Sequence, residues 1–179
     1  NINKKDFLIK ANSYLFNKIR EINPVLVDGK LEKRDNKRIK ILFLGTRFQV
    51  SYSSVFKDRS EIIKRLDNNI FDKHILFINL TNDMINNFPE DYKKDFNDMI
   101  KDVKIISLNY SYTRDIEKLY NKLIPLNLDI IVFPDIGMDP ISNIIATLRM
   151  APIQINSWGH SITSGINNID YFIELFNRS

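Results

Sequence analysis

The sequence predicts an α/β protein: a doubly wound, mostly parallel Rossmann-like sheet with helices on both faces, preceded by an N-terminal helix. Three observations predict it. From Ile39 onward, short runs that are apolar on both faces recur along the chain, as strands buried inside a parallel sheet require. Segments of helical period separate those runs, so each strand reaches the next by a crossover, and the right-handed rule for crossovers distributes helices over both faces. The longest apolar runs span only four or five residues, as in Ile41-Leu42-Phe43-Leu44. A bilayer-spanning helix needs about 20.

Taken in order, the first element is an amphipathic helix over the first 23 residues, with Phe7, Leu8, Ala11, Leu15, Ile19 and Ile22 at helical spacing and Pro24 stopping the pattern. A polar, charged stretch from Asp28 to Lys37 follows, opened by a turn-type Asp-Gly pair, and reads as a linker. These two segments, residues 1–37, form one unit, and 38–179 form the Rossmann-like domain. Strands are expected at Ile39–Gly45, His74–Leu80, Val103–Leu108, Leu128–Pro134, Pro152–Trp158 and Ile169–Ile173. Helices are expected at Asp58–Asn69, Asp91–Lys101, Arg114–Leu126 and Pro140–Met150. The N-terminal helix reads either as packing against the next domain or as the tail of a helical-repeat region.

Composition narrows the function classes. The chain has 179 residues, 44% hydrophobic and 27% charged, in the globular range. It has no cysteine, which excludes disulfides, thiolate chemistry and cysteine-ligated zinc. Its 26 Lys and Arg against 22 Asp and Glu alternate in sign along the chain, unlike the clustered basic footprint of a nucleic-acid binder. No signal peptide opens the sequence, so an intracellular, cytoplasmic location is expected, with neither membrane nor nucleic acid as partner.

Ligands of doubly wound sheets bind beyond the carboxyl ends of the strands, which selects five loops: Thr46–Lys57, Asn79–Phe88, Asn109–Thr113, Asp135–Asp139 and Gly159–Asn168. The first strand exits through one glycine, Gly45, and lacks both G-x-G-x-x-G and a P-loop lysine, which argues against a nicotinamide oxidoreductase or a P-loop kinase. Ser51, Ser53 and Ser54 before a helix start either cap that helix or hold a polar ligand near its N-terminus. After the fourth strand, Asp139 suits an N-cap and Pro140 the first helical turn, while Asp135 with Asp139 forms a candidate carboxylate pair. Gly137 is a candidate for positive φ or for close approach of a ligand.

The loop Trp158-Gly159-His160-Ser161-Ile162-Thr163-Ser164-Gly165 concentrates the most chemistry. His160 is placed directly after a strand, between glycines and hydroxyls, and a histidine titrates near neutrality. A loop histidine can equally be plain surface. His74, the other histidine, opens a strand and reads as structural. Two separated histidines do not make a histidine-based metal site, so no metal is expected. The absence of G-x-S-x-G argues against an α/β-hydrolase.

Four segments occur in a family's order and spacing: Asp135-Ile136-Gly137-Met138-Asp139-Pro140, Leu148-Arg149-Met150-Ala151-Pro152-Ile153-Gln154, Trp158-Gly159-His160-x-x-Thr163-Ser164-Gly165, and Ile169-Asp170-Tyr171-Phe172-Ile173. Together they resemble glycosyltransferase family 41, which includes the O-linked N-acetylglucosamine transferases, their SPINDLY-type relatives and the bacterial adhesin N-glycosyltransferases. Ser54-Val55-Phe56-Lys57-Asp58-Arg59 more weakly resembles that family's loop after its first strand. The resemblance implies a GT-B fold, two Rossmann-like domains facing a cleft, of which Ile39 to Ile173 is the N-terminal, acceptor-side half. It departs from the family pattern at Ser53, where histidine is frequent, and at Ser161, where proline is common. No second Rossmann-like domain follows before Ser179.

The resemblance implies an inverting, metal-independent glycosyltransferase that moves a sugar (GlcNAc or a hexose) from a UDP-sugar co-substrate to a protein or peptide acceptor, with no other cofactor. By the same resemblance His160 lies at the cleft and hydrogen-bonds sugar or acceptor. Thr163, Ser164 and Gly165 line the cleft, and Gly137, Met138 and Asp139 shape it, with Ser53 and Ser54 also on the substrate side. Most nucleotide-sugar contacts would come from the C-terminal Rossmann-like domain absent from this chain, so these residues alone are expected to be inactive. The competing expectation is a non-catalytic Rossmann-like protein-binding module.

Overall fold

The computed structural model describes residues 3–24, 26, 28, 38–45, 54–108, 116–157 and 164–173. Six strands form one sheet: β1 (Ile39–Gly45), β2 (Phe71–Ile78), β3 (Lys104–Leu108), β4 (Ile130–Phe133), β5 (Ile153–Ser157) and β6 (Tyr171–Ile173). Their spatial order is β3-β2-β1-β4-β5-β6, and every neighbouring pair is parallel. The expected doubly wound sheet is present, and it is parallel throughout.

Alternation along the central strands divides the core in two. Leu42, Leu44, Leu76, Ile78, Ile131 and Phe133 face one side, and Ile41, Phe43, Ile75, Phe77 and Val132 face the other. On the second side sit α2 (Ser54–Arg65) and α4 (Glu90–Ile100), through Phe56, Ile63, Tyr92, Phe96 and Met99. Between them in the chain comes a short helix, α3 (Asn82–Asn86), capped by Thr81, within a segment expected to be a loop. On the first side lie α1 (Lys4–Ile22), α5 (Ile116–Leu123) with a 3₁₀ turn at Ile124–Leu126, and α6 (Pro140–Ala146). Pro125 explains why the expected helix to Leu126 tightens over its last residues: it has no N–H to donate.

Several expected boundaries shift for identifiable reasons. β2 begins at Phe71, paired with Ile39, three residues before His74. Asp72 and Lys73 concealed this start because charges argue against a buried strand. Lys73 is nevertheless buried, its ammonium donating to Ile63 O (3.1 Å) and Leu66 O (3.2 Å) and so closing the C-terminus of α2. α2 itself starts four residues before Asp58 and ends at Arg65. α6 stops at Ala146 instead of Met150, because Thr147 turns the chain with its hydroxyl donating to Ile144 O at 2.6 Å.

The N-terminal helix forms, but the face it buries is rotated from the expected one. Leu8, Ile9, Asn12, Leu15, Phe16 and Ile19 face inward, while Phe7 and Ile22 are exposed. The pivot is Asn12, a polar residue the hydrophobic pattern omits; its Nδ2 donates to Ser164 O at 2.9 Å. α1 packs on the same core as the sheet through Ile19, Leu15 and Phe16. Beyond it, Asp28 accepts the Arg149 N–H at 2.8 Å. Residues 29–37, the rest of the expected linker, lie outside the described residues.

Candidate functional site

In this strand order the winding reverses between β1 and β4, so the carboxyl ends of those two strands flank the crevice where α/β ligands bind. The chain leaves β4 through a turn in which Asp135 O accepts from both Met138 N and Asp139 N at 3.0 Å. Gly137 has φ 87°, a region that favours glycine, and its N–H donates to Asn143 Oδ1 at 2.9 Å. Asp139 caps α6, with Oδ2 accepting from Ser142 N at 2.8 Å, and Pro140 takes the first helical turn. Gly137, Met138 and Asp139 therefore form one tight turn at the switch point. The capping role is the one the geometry gives to Asp139.

Asp135 has a different setting. Its side chain is fully buried, and so is the guanidinium of Arg59 on α2. Burial pushes the Arg59 guanidinium down to about 10, against the pull of Asp58 and Asp135, whose negative charges favour its protonated form. A charge pair so deep in the fold is costly to desolvate and is retained only with good electrostatic compensation. Arg59 was not among the expected site residues. The signal for it was present: Phe56, Arg59 and Ile63 fall on one helical face, which places an arginine among core positions.

Around β5, Arg149, Gln154 and Asp170 of the motif segments hold neighbouring backbone segments together. Arg149 forms a bidentate pair with Asp170, Nη1 to Oδ2 at 2.6 Å and Nη2 to Oδ1 at 3.1 Å. Asp170 Oδ2 also accepts Gln154 N at 2.8 Å. Burial raises the Asp170 carboxyl, but the Arg149 hydrogen bond, the Gln154 N–H and the Arg149 charge together hold it below the ordinary carboxylate value. Gln154 is fully buried; its Oε1 accepts Met150 N at 2.7 Å and its Nε2 donates to Asn168 O at 2.9 Å. These contacts join the α6–β5 turn to the approach of β6.

Ser164 and Gly165 meet α1. Besides the Asn12 bond, Ser164 Oγ accepts Ile166 N at 3.3 Å. Gly165 has φ 63°, and a Cβ there would lie 2.6 Å from Leu8 Cβ and 3.0 Å from Ile9 N. Close packing of α1 therefore demands glycine at this position, a reason independent of any ligand. Both residues line a cavity of about 570 Å³ between the N-terminal turns of α1 and the β5–β6 edge. Gly137, Met138 and Asp139 do not line it.

Of the remaining expected site residues, Ser54 is the exposed first residue of α2. Ser53, His160 and Thr163 lie outside the described residues, as does the expected Trp158 end of β5. His74 is within β2, three residues past its start, and 5% exposed. Its Nε2 lies 3.4 Å from Asp72 Oδ2, and Lys104 Nζ donates to the same oxygen at 2.8 Å. Burial, opposed by Asp72, pushes the imidazole below its ordinary value. The structural role expected of His74 matches this setting, at the edge of the sheet opposite the crevice.

Other residues that the sequence reading missed are Asn156 and Ser157 at the end of β5. Both are buried, and the Ser157 hydroxyl, like that of Ser142 in α6, has no hydrogen-bond partner among the described residues. The signal was the alternation in Ile153-Gln154-Ile155-Asn156, which sends two amides to the α1 side of a strand read as apolar throughout. Among the described residues no group of three or more His, Asp or Glu could hold a metal ion, and no helix is long and apolar enough to cross a membrane.

No protein-family model matches the chain, and no curated protein matches it. Among solved structures it is similar to a point-mutant form of the O-GlcNAc transferase of Thermobaculum terrenum, with a TM-score of 0.57 and 13% identity. That likeness covers 90% of this chain and 29% of the transferase chain. At this identity it shows a shared fold: this chain has the architecture of one part of a glycosyltransferase, spanning under a third of its length.

Proposed function

We propose that these residues are the acceptor-side Rossmann-like half of an inverting, metal-independent glycosyltransferase that moves GlcNAc or a hexose from a UDP-sugar to a protein acceptor. The observation that carries the reading is the sequence tract from Asp135 to Ile173, whose four segments keep the order and spacing of glycosyltransferase family 41. The shared fold with part of an O-GlcNAc transferase supports it. In this reading a second Rossmann-like domain, which holds most of the sugar nucleotide, faces the carboxyl edge of the sheet. His160, on the loop after β5, hydrogen-bonds sugar or acceptor in the cleft, and Thr163, Ser164 and Gly165 line it with Ser53 and Ser54. The Gly137–Asp139 turn shapes the wall. Donors aimed at the departing diphosphate supply the main electrostatic stabilisation, and they belong to the second domain.

The test is sugar transfer by the full-length enzyme. His160→Ala lowers kcat/KM by about 10²-fold, the size of a lost acid/base or transition-state hydrogen bond, with the melting temperature unchanged. Near-normal turnover of the variant removes His160 from the mechanism. One observation favours a non-catalytic protein-binding module instead: Arg149, Gln154 and Asp170 of the motif tract hold backbone segments together, work that a module without activity would still need. Absence of transfer from a panel of UDP-sugars by the full-length protein, with its fold intact, decides for the module.

A further inference from the structure

The cavity between α1 and the β5–β6 edge holds about 570 Å³, within the range of small-molecule sites. Asn156 lines it with only 3% of its surface exposed, and its carboxamide has no hydrogen-bond partner among the described residues. Gln154, on the same face of β5 two residues earlier, has both ends of its amide engaged. Asn156 is therefore a buried amide that the packing does not use, at a position where buried polar groups ordinarily are used. The parallel register pairs Asn156 with Phe172, which brings the ring beside the carboxamide on the same face, and Phe172 is 46% exposed. The opposite wall is the first turns of α1, with Ile9 and Lys5.

We propose that this cavity binds a mononucleotide: a nucleobase seated against Phe172 and paired edge-on with Asn156, its phosphate toward Lys5. A carboxamide presents an acceptor and a donor side by side, the complement of the adjacent N–H and C=O, or N–H and ring nitrogen, on a base edge. An aromatic face accepts any base by stacking. Lys5 lies in the first turn of a 19-residue helix, where the helix dipole adds to its positive potential. Asp170 also lines the cavity, but its carboxylate is taken up by Arg149 and the Gln154 N–H. A strand of nucleic acid fits less well, because the net charge is only +4 and alternates in sign along the chain. The cavity shares Ser164 and Gly165 with the cleft of the proposed transferase, but mononucleotide binding does not require sugar transfer, so either reading can fail while the other stands.

Calorimetric titration of the intact protein with UMP, AMP, CMP and GMP tests it. At least one is expected to bind with a sub-millimolar Kd, and Asn156→Ala is expected to weaken that binding about tenfold or more, the usual worth of a bidentate base contact. Phe172→Ala, at a half-exposed edge position that the fold tolerates, is expected to weaken it similarly, which keeps the test decisive if Asn156→Ala fails to fold. Lys5→Ala is expected to weaken the monophosphate and leave the matching nucleoside unchanged. The proposal is overturned by no heat from any of the four at about 5 mM, well above ordinary small-ligand Kd values. It is equally overturned by affinity unaltered in both the Asn156 and Phe172 variants, or by binding of an RNA oligonucleotide while all four mononucleotides stay silent.

Discussion

At the amino edge of the sheet charged groups meet fixed partners, whereas at the carboxyl edge two buried hydroxyls have none among the described residues. On the amino side, Asp129 accepts Lys40 N at 2.7 Å while Lys40 Nζ donates to Leu126 O at 2.9 Å. Lys73 closes α2, Lys104 meets Asp72, and Arg149 clasps Asp170. Each of these fixes a residue at or just before the start of a strand. On the carboxyl side lie the Ser157 and Ser142 hydroxyls, without a hydrogen-bond partner among the described residues, and the Asn156 amide. A polar group that completes a backbone hydrogen bond is explained by stability alone, while one held in the interior without that duty asks for another reason.

The largest effect on the amino-side network is expected from Gln154→Ala. It leaves the buried Met150 N and the half-buried Asn168 O without their side-chain partner and opens a void, so a stability loss of about 3 kcal/mol is expected in chemical denaturation. A loss under about 1 kcal/mol would mean that the amino-side network is ornament.

A smaller effect concerns acid. His74 has its folded pKa below its unfolded value because burial disfavours the imidazolium. Protons then bind the unfolded chain more tightly, so stability is full above about pH 6.5 and declines as pH falls through that value toward the lower folded pKa. The Asp72 and Asp170 carboxyls, despite burial, are held low by their cationic partners and release their stabilisation only below about pH 4. Melting temperatures at intervals between pH 7 and 5 are expected to fall for the native sequence and to stay flatter for His74→Gln. Equal slopes in the two proteins would assign that pH dependence elsewhere.

Smallest of all is the change expected at the other edge. Ser157→Ala removes a buried hydroxyl without a partner among the described residues, so stability should hold within about 0.5 kcal/mol or rise slightly. A loss above about 1 kcal/mol would show that the hydroxyl is engaged and that the two edges are alike.

The layered sheet was legible in the sequence because apolar runs and helical periods are local patterns, and all six strands fall where those runs lie. Turn chemistry was legible for the same reason: Asp139 as cap, Pro140 in the first turn and Gly137 at positive φ follow from neighbouring residues alone. Only the tertiary structure decided what distant residues do to one another. It rotated α1 about Asn12 to meet Ser164, and it fixed glycine at position 165 by the approach of Leu8. It also buried Lys73 as the closure of a helix, and it left the Asn156 amide facing a cavity made by three separate parts of the chain. The physical reason is that a polar side chain's role depends on which donors and acceptors surround it after folding, and those neighbours are set by contacts up to 152 positions apart in sequence.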